Sequence, residues 1–279
     1  MCVSTIIGLP EEWKVFSKTH SVFLEGLTKL IVTVNKVFVR TFNSRTPADG
    51  VVFHLGRLCV EDFMEILVLC GNGYGIGGLK LLRGFYERVV TMAYISKSPS
   101  EAEAFLAYHP VHVGRALHHA KAVVDVTKIR PRSEIEDMER QFGAVKDKYQ
   151  EVLCEKCETT RTRFSWSPLD IASMAKKVGL DGFYLTCYYD PILHGHATPS
   201  SILLRLVAKV DGSADAMFDE AAQREKVDTV LNQAHALMLY TLSVQNEFFN
   251  LGFDVELRGR LDDFTACWEH VPLIMRTIF

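Results

Sequence analysis

The chain has 279 residues, 48% apolar and 23% charged, a balance that supports a substantial folded core and excludes a disordered or low-complexity polymer. A formal net charge of −3 gives no overall basic footprint for nucleic acid. Seven cysteines, an odd count, argue against a disulfide framework and for a reducing compartment.

The opening residues, Met1 to Pro10, carry no basic segment and too short an apolar run for a signal peptide, so a cytoplasmic location is expected. Apolar residues from Glu11 to Phe42 recur at three- and four-residue steps, including Phe16, Phe23, Leu27, Leu30, Val34 and Phe38. That spacing predicts one long helix or two joined. A second helix is expected from Ala48 to Leu69 and ends at a glycine-rich connector, Cys70-Gly-Asn-Gly-Tyr-Gly-Ile-Gly-Gly78. The third runs from Gly78 to Ile95. Ser98-Pro99 with Glu101 reads as a capping box opening the fourth, which Pro110 kinks or divides.

A long, very polar surface helix is expected near 133–158, capped by Ser133 with Glu136. Ser167-Pro-Leu-Asp170 starts a short helix to Val178, and Asp181 starts the next, which Asp190-Pro191 breaks. Thr198-Pro199 opens a helix through Val210, and two more cover Asp215–Leu251 and Asp262–Thr277. No convincing alternating strand, repeat or linker is present. The expected fold is all-α: a single helical-bundle domain spanning 1–279, with about nine or ten helices. No apolar run approaches the ~20 residues that cross a bilayer, so no membrane is expected as a partner.

Gly73-Tyr-Gly-Ile-Gly-Gly78 formally matches a dinucleotide fingerprint, but that motif needs a preceding strand, and Glu61–Cys70 has helical period. A turn between helices is the better reading. The amides of Gly77 and Gly78 at a helix start are a weaker candidate for holding an anion. Arg83 and Glu87 lie one turn apart among Leu79, Leu82 and Tyr86, so the pair is expected on a buried face, as a structural clamp or a ligand contact. Tyr184 and Tyr188 are likewise one turn apart, and a loop carrying His194 and His196 follows. Cys154 and Cys157 with those histidines make a weak zinc signal, because the spacing is wrong for a finger; no metal and no cofactor are expected. His109, His112, Arg115 and His119 share one helix face, read as an exposed or capping cluster. Catalytic templates such as G-x-S-x-G, H-E-x-x-H and the P-loop are absent from the sequence.

Leu82-Arg83-x3-Glu87, then Tyr94-Ile95, Trp166, Tyr184-x3-Tyr188 and His196, occur in an order that resembles a bacterial helical family catalogued as domain-of-unknown-function family 5677. The resemblance covers about 48–206, with N-terminal (11–43) and C-terminal (215–277) helices expected to pack on that core. Ile192 stands where the family pattern has serine, which counts against serine-dependent chemistry. The pattern is also similar to HEPN bundles, although no arginine here has a histidine at their Arg-x4–6-His spacing. Two functions follow as expectations. One is an interaction or ligand-binding module whose polar site is Arg83, Glu87, Tyr184, Tyr188, His194 and His196. Its partner is then a small molecule or a protein, and a homodimer is compatible with it. The alternative is a HEPN-like metal-independent ribonuclease in which His196 is the base and Arg83 and Glu87 complete the catalytic set.

Overall fold

A computed structural model describes residues 10–154, 157–203, 206–208, 216–218 and 224–268. In chain order the elements are α1 (Pro10–Thr19), α2 (Ser21–Phe38), α3 (Pro47–Gly71), α4 (Gly75–Lys97), α5 (Glu101–Ala107), α6 (His109–Val123), α7 (Arg132–Val145), β1 (Gln150–Cys154), β2 (Thr159–Thr162), α8 (Ile171–Val178), α9 (Asp190–Gly195), α10 (Pro199–Leu203), β3 (Leu206–Ala208), β4 (Ala216–Phe218), α11 (Glu225–Phe249) and α12 (Asp254–Cys267). The fold is an all-α helical bundle that carries, among the described residues, two short antiparallel ladders, β1–β2 and β3–β4. It divides into two compact units, one formed by residues up to Lys97 and from Met174 onward, the other by Ser98–Ser173. No helix among the described residues is long and apolar enough to cross a membrane.

In the first unit α3 lies along α4, and α11 packs on both. Thr46 starts α3 with a reciprocal cap: its hydroxyl accepts from the Asp49 amide, the Asp49 carboxylate accepts from the Thr46 amide, and Pro47 fills the first turn. Gly73 ends α3 with φ +76°, a left-handed turn that glycine adopts at no steric cost. The chain then re-enters a helix at Gly75. A Cβ on Gly78 would stand 3.0 Å from Cys70 Sγ and 3.1 Å from Val230 Cγ1, so the missing side chain sets how closely α4 approaches α3 and α11. Beyond it, Leu79, Leu82, Phe85, Tyr86, Val89 and Val90 are wholly buried, each stabilising the fold by roughly 1.5–3 kcal/mol.

Several polar groups inside this unit find partners across helices. Tyr86 donates its hydroxyl to the Leu180 carbonyl at 2.9 Å, and burial pushes its pKa up. Arg88 on α4 clasps both carboxylate oxygens of Asp62 on α3. Burial drives the Asp62 pKa up and the Arg88 contact opposes that rise. From α11, Gln245 donates to the Val52 carbonyl at 2.7 Å, and Gln233 accepts from Thr186 and from Cys187.

The second unit centres on Tyr108, Arg115 and Tyr149. Arg115 donates to the Tyr108 hydroxyl at 3.0 Å and to the Thr162 and Arg163 carbonyls, while Tyr149 donates to the Ala104 carbonyl at 2.9 Å. A smaller apolar cluster gathers Leu117, Val126 and Ile135.

Several local expectations need correction. The polar helix expected to reach 158 ends at Val145; after one 3₁₀ turn the chain forms the β1–β2 hairpin, with Glu151 opposite Arg161 and Val152 opposite Thr160. Threonine-rich sequence is poor in helix, and the Glu151–Arg161 pair rewards the strand pairing. Ser133 lies inside the first turn of α7 rather than capping it, since the N-cap position is Pro131. Ser98 and Pro99 form a turn ahead of α5, so the expected capping box does not form. Pro191 does not break its helix: a π-helical stretch, Leu185–Tyr189, runs into α9, and Pro191 occupies its first turn, where a missing amide hydrogen costs little. The helix expected through Val210 stops at Leu203, and Leu206–Ala208 pairs with Ala216–Phe218. The last helix begins at Asp254, eight residues before the expected Asp262; the expected end near Thr277 lies outside the described residues.

Candidate functional site

The site is built from α4 and the π-helical stretch Leu185–Tyr189, which pack together. Helical spacing places Arg83 and Glu87 on one face of α4, and the Arg83 Nε donates to Glu87 Oε1 at 3.0 Å. The same guanidinium lies over the Tyr188 ring, its carbon 4.7 Å from the centroid, and its Nη2 reaches the Tyr188 hydroxyl at 3.4 Å. Tyr184 stacks on the other tyrosine, with ring centroids 5.0 Å apart and planes 24° from parallel. Tyr86 supports Tyr188 from below at 6.3 Å.

This arrangement is a ladder of flat groups, Tyr184 on Tyr188 with Arg83 beside them, edged by a carboxylate. It is not sealed. The Arg83 and Glu87 side chains are 32% and 37% exposed, so the pair sits at the margin of the core instead of within it. Partial burial works against the Arg83 charge, but the Glu87 hydrogen bond and charge, together with Tyr188, outweigh it and hold the guanidinium pKa above its ordinary value.

The histidines behave differently from each other. His194 is tucked against its own helix, with a side chain 8% exposed and Nε2 3.5 Å from Asp190 Oδ1; Lys226 approaches the other Asp190 oxygen at 3.7 Å. His196 follows the end of α9 and is exposed, and the partners of Arg83 are Glu87 and Tyr188. The structure thus gathers Arg83, Glu87, Tyr184 and Tyr188, holds His194 on Asp190, and makes no side-chain bond between His196 and the Arg83 pair among the described residues.

The remaining motifs resolve into structural roles. The glycine connector is a helix-to-helix turn preceded by α3, and the Gly78 amide is already bonded to the Tyr74 carbonyl at 3.0 Å. Cys154 ends a strand and Cys157 lies in the following turn, so the two do not share a helix face. Hydrogen bonds from Thr159 first, then from Cys154, hold the Cys157 thiol pKa below its usual value. No group of three or more His, Cys, Asp or Glu side chains is placed for a metal among the described residues. On α6, His112 packs edge-on to Tyr108 at 4.7 Å; burial, then the charges of Arg115 and His109, lower its pKa.

Sequence reasoning missed three polar groupings. Asp62–Arg88 joins two helices through residues 26 apart, and neither residue carries a pattern that names the other. His20 meets the Phe16 carbonyl through Nδ1 at 3.2 Å and the Asp228 carboxylate through Nε2 at 2.7 Å, lining a pocket of about 180 Å³ with Glu12, Cys70 and Arg224. Arg40 sits among phenylalanines at the end of α2. Its only sequence signal is a lone cation just past an apolar helix and before Phe42.

A family model described as "Family of unknown function (DUF5677)" matches residues 49–214, more than half of the chain, including every residue of the Arg83–Tyr188 ladder. No curated protein and no solved structure matches.

Proposed function

The chain belongs to the family of unknown function DUF5677, and from that premise we propose that it is a ligand-binding or interaction module whose binding face is Arg83, Glu87, Tyr184 and Tyr188. The observation that carries this reading is the Arg83 guanidinium, oriented by Glu87 and by the Tyr188 ring while still about one-third exposed. Such a face offers a flat aromatic surface, guanidinium donors and a carboxylate acceptor side by side. It suits a small molecule or a protein segment presenting a planar group whose edge carries both a donor and an acceptor. The cytoplasmic location and a homodimer belong to the same proposal.

The ribonuclease alternative, drawn from the HEPN-like pattern, asks His196 and Arg83 to act on one phosphate. Two features favour the binding reading over it. Arg83 Nε is committed to Glu87, and His196 is exposed beyond the end of α9. Incubating the purified chain with labelled RNA separates the two. The expected result is no cleavage that His196→Ala abolishes; cleavage lost in that variant would replace binding with catalysis.

A further inference from the structure

Helix α2 stops at Phe38, and the chain turns with the Val39 amide bonded to the Asn35 carbonyl at 2.7 Å. That turn delivers Arg40 into an aromatic cage. Its Nε donates to the Val37 carbonyl at 2.8 Å, and its guanidinium carbon lies 4.9 Å from the Phe249 ring, 5.2 Å from Phe53 and 5.7 Å from Phe42. The cage is itself packed, because Phe42 and Phe53 stack at 4.0 Å with planes 7° apart and Phe249 meets Phe42 edge-on. A guanidinium fixed on this many sides has lost its rotamer freedom in advance of any binding.

One of its nitrogens is unsatisfied. Arg40 Nη2 is buried and has no hydrogen-bond partner, an arrangement that costs free energy unless an acceptor arrives. Burial lowers the Arg40 pKa, with no carboxylate among the causes. Arg40 lines an open depression with Phe38, Val39, Thr41 and a second cation, Arg57 from α3. Among the described residues neither arginine is in an ion pair, although Glu61 lies one turn beyond Arg57 on the same helix. Two arginines lining one depression, neither in an ion pair among the described residues and one with a buried donor left over, make up the recognition chemistry for an oxyanion.

We propose that Arg40 and Arg57 form an anion-binding pocket, separate from the Arg83 face, that takes the phosphate or carboxylate group of a small molecule. Arg40 supplies the fixed donor, Arg57 the second charge, and the Thr41 hydroxyl a further hydrogen bond. The phenylalanines keep Arg40 in place at the wall of the depression.

Isothermal titration calorimetry on the full chain tests this with sodium phosphate in one arm and sodium acetate in the other, each against sodium chloride of equal ionic strength. Saturable binding beyond the chloride control is expected in at least one arm, and the arm that responds identifies the oxyanion. Arg57→Gln, a half-exposed change on an intact helix, is expected to weaken it at least about tenfold, the scale of one lost charge-assisted hydrogen bond. Arg40→Gln should act in the same direction, with its fold checked by circular dichroism. The proposal is overturned if wild type saturates in neither arm, or if folded Arg57→Gln binds as tightly as wild type.

Discussion

Replacing Gly56 with alanine is expected to lower the unfolding free energy by about 2–3 kcal/mol, even though alanine is the better helix former by about 1 kcal/mol. Gly56 lies on α3 where α2 and α11 converge. A Cβ there would stand 2.5 Å from Gln245 Nε2 and 2.9 Å from two atoms of the Phe38 ring. Neither neighbour has room to retreat. Gln245 is fully buried and its amide holds the Val52 carbonyl, while Phe38 is packed against Phe53. Displacing Gln245 would take its buried amide nitrogen off the Val52 carbonyl, which is why the steric cost exceeds the gain in helix propensity. Urea denaturation of wild type and Gly56→Ala gives the number directly. An unchanged or more stable variant would mean that the three helices do not meet as described.

Acid should destabilise the fold through His235. This residue on α11 is 1% exposed, packed edge-on against Phe23 and Phe264, and its Nδ1 accepts from the Trp268 indole at 3.2 Å. Burial lowers its pKa to about 3, with the Asp263 charge opposing the shift. The native state therefore keeps the ring neutral where the unfolded chain, near the ordinary pKa of about 6.5, has taken a proton. Its contribution to stability is complete above about pH 6.5 and is lost as pH falls toward 3, on the order of 1.4 kcal/mol per pH unit. By pH 4.5 the loss is about 3 kcal/mol. His235→Gln retains an acceptor for Trp268 but cannot titrate, so the stability of this variant should fall less steeply over that window. Parallel pH profiles for the two proteins would show that His235 is not held neutral in the native state.

Helices α2, α3 and α4 of the first unit were legible because their apolar residues repeat at three and four and their ends carry distinct signals. Val51, Val52, Phe63, Ile66 and Leu67 define α3, and Gly73 stops it at the only kind of residue that turns there without strain. The Arg83–Glu87 pair and the Tyr184–Tyr188 stack were legible from one-turn spacing alone. That the two pairs share a site was an expectation that came with the family resemblance, and spacing alone does not give it. Arg83 meets Tyr188 across 105 residues, and the π-helical stretch that brings Tyr188 forward is set by packing on α4 rather than by local propensity. The β1–β2 hairpin failed for a related reason. Gln150 to Cys154 follows a charged helical run, and its strand state depends on Thr159–Thr162 lying opposite. His20–Asp228 and Asp62–Arg88 pair residues on different helices, so only the assembled fold shows them.

The measurement that bears most directly on the Arg83 face is a thermal-shift screen of nucleotides and small metabolites against wild type, Arg83→Met, Tyr188→Ala and His196→Ala. At least one compound is expected to raise the melting temperature of wild type and of His196→Ala, with that rise lost in both Arg83→Met and Tyr188→Ala. A screen with no such compound, or one in which Arg83→Met and Tyr188→Ala melt earlier but keep every ligand-induced shift, would contradict it and leave Arg83 as a clamp between α4 and the Tyr188 segment.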